Sequence, residues 1–311
     1  MPDVSMLAKN WTAPALPAEI PHGDMPGDKV SIHEGHLQKA AVIFPRLLSL
    51  LSETLAKNPA RRAVVSVCGG SGVGKSEIAS LLSFYLNDLG IGAYTLSGDN
   101  YPHRIPLLND AERLRVFRVA GLRGLLAAGE YDADRAAVLS AFMRAGTESD
   151  PRESAARPWL LAYQQAGRAG LRDYLGTQNE IDFTELSEIL AQFKGGAEEL
   201  FFKRMGREED ALWYDRVNLR NTAVLVVEWT HGNNDLLSGV DIPVFLHSTP
   251  QETLEHRRLR ARDGAPDSPF TAMVLEIEQQ LLQSQAHKAR IIVSKRGELL
   301  TWEQYRLMQA E

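Results

Sequence analysis

The spacing of hydrophobic residues predicts helices and strands in alternation. Apolar residues recur every three or four positions over 36–58, which predicts an amphipathic helix, or two, that Pro45 kinks or divides. Short apolar runs predict later strands at 93–96, 222–227, 243–247 and 289–293. Strands that alternate with helices are typical of an α/β fold with a parallel sheet flanked by helices.

The alternation stops over residues 105–220. The pattern there predicts several helices and then a strand at 198–203. A helical insertion between core strands is the expected place for a substrate-binding and lid subdomain, and a purely structural addition is the alternative. We therefore expect an N-terminal arm and helix at 1–60, and a nucleotide domain at 61–311 that contains this insertion.

A glycine-rich run follows the first strand of that domain. Residues 64–68 suit a buried strand, 69–76 match G-x-x-x-x-G-K-[ST], and 77–89 have helical periodicity. This order predicts a Walker A phosphate site, in which Lys75 reaches the triphosphate of ATP and the Ser76 hydroxyl binds Mg²⁺. The residues expected to hold the nucleotide are Gly69, Gly70, Ser71, Gly72, Val73, Gly74, Lys75 and Ser76.

Two carboxylates follow strands at the edge where open α/β sheets bind ligands. Asp99 comes shortly after the strand at 93–96, and Glu228 ends the apolar run 223–227. A carboxylate in such a place is costly to bury unless a metal or proton donor meets it. We expect Asp99 to be the general base on an acceptor hydroxyl, and Glu228 to bind Mg²⁺ through water or to bind substrate. The alternative is that each caps a turn.

Four arginines gather near the end of a helix predicted over 250–262. Arg258 and Arg262 are four residues apart and share a face, and a segment with glycine and proline follows. Phosphoryl transfer requires neutralisation of the migrating charge, which an arginine on a mobile lid can supply. A solvent-exposed helix end is the alternative.

Composition narrows the function classes. The 311 residues are 44% hydrophobic and 24% charged, as in a soluble globular protein, and the net charge of −6 argues against nucleic acid as a partner. No apolar run approaches the ~20 residues that span a membrane. The single cysteine, Cys68, cannot form an internal disulfide, which fits the cytoplasm. The sequence leaves the oligomeric state open, a homodimer included.

The order of these features resembles that of the uridine kinase, phosphoribulokinase and pantothenate kinase family over about residues 61–300. The most specific part is the Gly-Gly-Ser-Gly-x-Gly-Lys-Ser loop. The resemblance implies that Asp99 is the catalytic aspartate and Glu228 the acidic residue of a later strand. It also implies that Arg258 and Arg262 belong to the lid.

The chain departs from that family at two motifs. The family's Asp-x-Phe-Tyr is shorter here, as Asp99-Asn100-Tyr101, and its Glu-Gly is Glu228-Trp229. The helical part of the insertion, about residues 105–175, has no counterpart in a plain uridine kinase, so the resemblance does not imply a nucleoside substrate. Candidates for acceptor binding, chosen by motif order or loose similarity, are Tyr101, His103, Arg104 and Arg207.

The expected function is transfer of the γ-phosphoryl group of ATP to a hydroxyl of a small metabolite such as a sugar, nucleoside or polyol. An adenylylsulfate kinase is an alternative, because Gly98-Asp99-Asn100 is similar to the Asp-Gly-Asp-Asn run of those enzymes. A nucleotide-dependent switch or assembly factor is the alternative from another class. The sequence does not decide between ATP and GTP or identify the acceptor.

Overall fold

The chain folds into two compact units. The computed structural model describes residues 11–17, 20, 22–249, 251–254 and 268–310. The first unit is formed by Met1–Tyr101, Asp182–Thr249 and Leu282–Glu311, and the second by Pro102–Ile181 and Pro250–Leu281. The stretch expected to be one insertion is therefore shared, since its residues 182–220 lie in the first unit.

A six-stranded sheet and a separate hairpin account for the strands in the part of the chain that the structure describes. They are β1 (Ala63–Gly69), β2 (Ala93–Ser97), β3 (Glu199–Met205), β4 (Leu212–Asn218), β5 (Val224–Glu228), β6 (Ile242–Leu246), β7 (Ile291–Val293) and β8 (Leu299–Leu300). The sheet order is β2-β5-β1-β6-β7-β8, parallel throughout except for the antiparallel β8. Strands β3 and β4 form the antiparallel hairpin. The predicted α/β fold with a mostly parallel sheet is confirmed.

The described helices include those that the periodicity predicts at 36–58 and 77–89. They are α1 (Glu34–Lys57), α2 (Lys75–Asp88), α3 (Pro106–Ala127), α4 (Ala133–Ala145), α5 (Pro151–Ala156), α6 (Leu160–Arg172), α7 (Phe183–Lys194), α8 (Pro269–Gln285) and α9 (Trp302–Ala310). Of the two effects expected of Pro45, a kink or a division of the first helix, division is wrong, because α1 continues through the proline. Proline removes one backbone donor, and the buried apolar face on both sides of Pro45 outweighs that loss.

Alternating side chains of the sheet build a core on each face. Val65 and Val67 of β1 join the cluster that includes the apolar faces of α1 and α2. Cys68 points to the opposite face, where it joins Phe245 and the Tyr305 side chain of α9. Helices therefore cover both faces of the parallel sheet, which leaves the carboxyl ends of its strands as the edge for a ligand.

The second unit is helical and has its own core. Helices α3 and α6 approach closely through glycines: a Cβ on Gly121 would lie 2.6 Å from the Tyr163 ring, and one on Gly167 would lie 2.6 Å from the Phe117 ring. The two rings meet edge to face at 5.5 Å between centroids. No helix in the described part of the chain is both long and apolar enough to cross a bilayer.

Candidate active site

The glycine loop connects the end of β1 to the start of α2. A Cβ on Gly69 would lie 2.5 Å from the carbonyl oxygen of Leu246, so no larger residue fits beside that strand. Gly74, just before α2, has a φ of 97°, which favours glycine. The first turn of α2 therefore begins directly at the loop, where its unpaired N–H groups and dipole favour an anion.

The eight residues predicted to hold a nucleotide run from the last residue of β1 through the loop into the first turn of α2. Lys75 is the first residue of α2, and its Nζ donates to the Gly70 carbonyl at 3.3 Å. That bond folds the ammonium group back over the loop. Ser76 is half-buried in the first turn of the same helix, the position from which a hydroxyl in such a loop reaches Mg²⁺.

Glu228 lies between the ends of two neighbouring strands. It pairs in register with Val67 of β1 on one side and with Ser97 of β2 on the other, so it stands next to the start of the glycine loop. Its side chain is buried, and the Ser97 hydroxyl donates to Oε2 at 3.5 Å. The sheet register thus places an acidic group beside the predicted phosphate site.

The surroundings of Glu228 disfavour a negative charge. Burial raises the pKa of its carboxyl to about 8, and the positive charge of Lys75 opposes that rise. Asp99 raises the pKa further, and Asp28 and Glu77 act in the same direction. A cation near Glu228 would relieve this concentration of acidic groups.

Asp99 lies on a short 3₁₀ turn, Gly98–Asn100, directly after β2. Its side chain is exposed, whereas Gly98 and Asn100 on either side of it are buried. The turn thus presents one carboxylate to solvent from the same edge of the sheet that carries Glu228. This placement suits the predicted general base, whose role stays a prediction.

The four candidates for acceptor binding fall into different surroundings. Tyr101 is fully buried in the first unit, and burial raises its pKa. In the second unit, a ring nitrogen of His103 meets the Gln178 carbonyl at 2.9 Å, and the Arg104 guanidinium donates to the Tyr174 hydroxyl at 3.2 Å. Arg207 is exposed in the turn between β3 and β4. Each of the four thus has its own surroundings, and their roles in acceptor binding stay predictions.

Arg204, three residues before Arg207, is the deeply buried arginine of β3. Its Nη1 pairs with the Asp24 carboxylate at 2.9 Å, and its Nε donates to Asp215 at 3.0 Å. Neither Arg204 nor Asp24 is among the candidate residues that the sequence pattern indicates. The alternation along β3 could have indicated Arg204, because it shares a face with the buried Leu200 and Phe202, but nothing local marks Asp24 in the proline-rich arm.

The lid arginines and the metal remain predictions. Arg258 and Arg262 lie outside the described residues. Among the residues that are described, no group of three or more His, Cys, Asp or Glu side chains is placed to hold a metal. The donors that do fit Mg²⁺ are the Ser76 hydroxyl and the Glu228 carboxylate, because this ion keeps several waters and takes its other oxygens from substrate phosphates.

Comparison with known proteins gives one relative and several structural neighbours. No protein-family model matches the chain. Over 253 residues it is 38% identical to the bifunctional alpha-galactosidase/sucrose kinase AgaSK of Mediterraneibacter gnavus. The match covers 81% of this chain but 22% of that much longer relative.

Two solved structures show a looser similarity. One is a Silicibacter sp. TM1040 protein described as a fructose transport system kinase, with a TM-score of 0.45, 16% identity, and coverage of 82% of this chain and 96% of its own. The other is the D-glycerate 3-kinase of Cryptococcus neoformans, with a TM-score of 0.45, 12% identity, and coverage of 87% and 99%.

Proposed function

We propose that this protein is an ATP-dependent kinase that phosphorylates a hydroxyl of a small sugar, with sucrose and related sugars as the leading acceptors. The observation that carries the proposal is the position of Glu228, in register with β1 and β2 and beside the loop that holds Lys75. A phosphate cradle next to an acidic group at one sheet edge is the arrangement that Mg²⁺-assisted phosphoryl transfer requires.

The relative supports the choice of acceptor. Its name combines a glycosidase and a sugar kinase, and the aligned segment is 22% of its length. A glycosidase requires two carboxylates about a glycosidic bond and no nucleotide, whereas a lysine-containing glycine loop serves triphosphates. The segment shared with this chain therefore fits the sucrose kinase function in that name better than the glycosidase function. Membership in the uridine kinase, phosphoribulokinase and pantothenate kinase family, suggested by the motif order, is part of the proposal.

Each part of the proposed phosphoryl transfer is assigned to residues of this chain. Lys75 and the N–H groups at the start of α2 hold the β and γ phosphates. The acceptor hydroxyl oxygen bonds to the γ-phosphorus of ATP while Asp99 accepts the hydroxyl proton. The bond between the γ-phosphorus and the oxygen that bridges the β and γ phosphates breaks, which releases ADP. The Ser76 hydroxyl would bind Mg²⁺ directly and Glu228 would bind it through water. The ion would neutralise negative charge on the phosphates. The lid arginines would meet the charge that develops during transfer.

An acceptor screen tests this proposal. Purified protein is incubated with ATP and Mg²⁺ and, separately, with sucrose, fructose, glucose, glycerate, uridine or adenylylsulfate, and ADP formation is followed. We expect ADP to form at least tenfold faster with one of the sugars than with no acceptor. If ADP formed fastest with uridine or adenylylsulfate, that compound and not a sugar would be the acceptor. A rate that no acceptor changes would favour the nucleotide-dependent switch.

A further inference from the structure

The N-terminal segment 22–36 follows the carboxyl edge of the sheet within the first unit. A Cβ on Gly23 would lie 3.7 Å from Thr95 Cγ2 on β2. At the other end of the segment, one on Gly74 of the glycine loop would lie 2.9 Å from His36 Nε2. A part of the chain that precedes the nucleotide domain thus contacts both β2 and the loop that follows β1.

Asp24 is the main anchor of this segment. Its Oδ1 accepts from the Ser97 N–H at 2.7 Å and from the Asn100 side-chain amide at 3.2 Å. Its Oδ2 accepts from the Tyr94 hydroxyl at 3.0 Å and from Arg204 at 2.9 Å. The carboxylate is 9% exposed and has four donors, so it is satisfied as a buried charge must be.

The hairpin holds the same turn from a second direction. Asn100 Oδ1 accepts from the Met205 N–H at 3.0 Å, so this one amide bridges Asp24 and β3. Arg204 of β3 donates in turn to the Tyr94 hydroxyl at 3.0 Å and to Asp215 at 3.0 Å. Ser97 and Asn100, on either side of Asp99, are therefore held by the Asp24 side chain and the Met205 N–H, which lie far away in the sequence.

We propose that Asp24 is a positioning residue that holds the Asp99 carboxylate in the orientation needed for phosphoryl transfer. The proposal rests on the kinase function proposed above. The Asp99 turn is three residues long, and so short a 3₁₀ segment has little stability of its own. Its orientation depends on its anchors, and Asp24 binds it on both sides of Asp99, at Ser97 and at Asn100.

Loss of the negative charge at Asp24 acts on the turn through two contacts. Burial raises the pKa of Asp24, and the Arg204 charge and the Ser97 N–H oppose that rise. An asparagine keeps an acceptor for Ser97 but removes the charge that faces Arg204, which keeps Asp215 as its ionic partner. Since Arg204 neighbours Met205, a shift of Arg204 also disturbs the bond from Met205 to Asn100.

Asp241 supplies a matched control. Its Oδ2 accepts from the Val64 N–H at 2.9 Å, and its Oδ1 pairs with Lys194. Like Asp24, Asp241 therefore accepts a hydrogen bond from the N–H of a core strand and forms an ion pair. It does so at the start of β1, the opposite end of that strand from the glycine loop. Asp241→Asn reports the loss of stability that such a carboxylate provides without any effect on Asp99.

The test compares Asp24→Asn with Asp241→Asn in the full-length chain. Turnover and the KM for ATP are measured with the best sugar acceptor, and melting temperature and the Kd of a non-hydrolysable ATP analogue are measured alongside. We expect kcat of Asp24→Asn to fall about 10- to 100-fold, the scale of a displaced catalytic group, with the analogue Kd within about threefold of wild type. We expect Asp241→Asn to keep kcat within about twofold at a temperature where both are folded.

The outcomes separate this proposal from the kinase proposal. If the wild-type protein transfers no phosphoryl group to any acceptor, the kinase proposal fails. If the wild type is active and the two variants lose turnover equally, Asp24 is only structural and the positioning proposal is overturned. Should Asp24→Asn not fold, Tyr94→Phe removes one hydroxyl between Asp24 and Arg204 and must then lower kcat without weakening analogue binding; unchanged turnover would overturn the proposal.

Discussion

Gly98 lies directly against the indole of Trp229. A Cβ on Gly98 would be 2.1 Å from Trp229 Cγ and 2.5 Å from its Cβ, so the contact involves the base of the tryptophan side chain. Trp229 follows Glu228, and Gly98 precedes Asp99. Trp229 stands where the family that the motif order resembles has a glycine. Gly98, next to the proposed general base, leaves the space that this tryptophan needs.

Gly98→Ala should destabilise the protein and displace Asp99. The new methyl group meets atoms that rotation of the indole cannot remove, and overpacking of this kind costs about 1–3 kcal/mol. Urea unfolding measures the loss, and turnover should fall as well. Gly35→Ala is the control, since nothing lies within 4 Å of a Cβ there. Equal stability of the two variants would contradict the tight contact.

Lys75→Ala should abolish phosphoryl transfer and leave the fold intact. The ammonium group of Lys75 donates to a loop carbonyl and is half-buried, so the core does not depend on it. Circular dichroism and thermal melting check the fold, and ADP formation checks activity. Lys57→Ala, which removes an 80% exposed charge from α1, should remain fully active. Retained activity of Lys75→Ala would remove Lys75 from the site.

Asp99→Asn should lower kcat by about 10²- to 10⁴-fold, as removal of a general base does, with little change in nucleotide affinity. Titration with a non-hydrolysable ATP analogue measures that affinity. Asp88→Asn, an exposed change at the far end of α2, is the control. If nucleotide affinity collapses while bound substrate still reacts, Asp99 serves the metal or the structure instead.

Glu228 should make the ligand-free protein less stable as pH rises. Its pKa is about 8 in the folded protein against an ordinary value of 4.5. A raised pKa gives stability that is fully present below pH 4.5 and is lost as pH rises through about 8, on the order of a few kcal/mol. Unfolding free energies at pH 5 to 9 test this, since Glu228→Gln should reduce the decline. If the unfolding free energies of the wild type and Glu228→Gln changed in parallel with pH, a raised pKa of Glu228 would be refuted.

Local pattern was enough to predict the parallel strands of the sheet and the glycine loop after β1, whereas the antiparallel β8 was not predicted. The run from Val64 to Ser76 contains its own strand, loop and helix signals, and Glu228 was placed correctly at a strand end by the apolar residues before it. Strand β4 was missed because Trp213, Tyr214 and Asp215 are all exposed, so neither face imposes an alternating pattern.

Long-range contacts explain what the sequence could not reveal. Asp24 and Arg204 are 180 positions apart and meet only because the arm crosses β2 and the hairpin returns to it. Gly98 and Trp229 are also far apart in the sequence, and only the short distance between them in the structure shows that they pack together. Neither pair has a spacing or a neighbouring motif that would indicate the partner.

The proposed reaction is transfer of the γ-phosphoryl group to an acceptor hydroxyl. It is tested most directly with ATP labelled at the γ-phosphate, Mg²⁺ and the best sugar from the acceptor screen, followed by separation of the products. We expect the label to appear in a sugar phosphate in a one-to-one ratio with ADP, and we expect Lys75→Ala to form no sugar phosphate. Label found only in inorganic phosphate, in an amount that the sugar does not change, would contradict the proposed reaction.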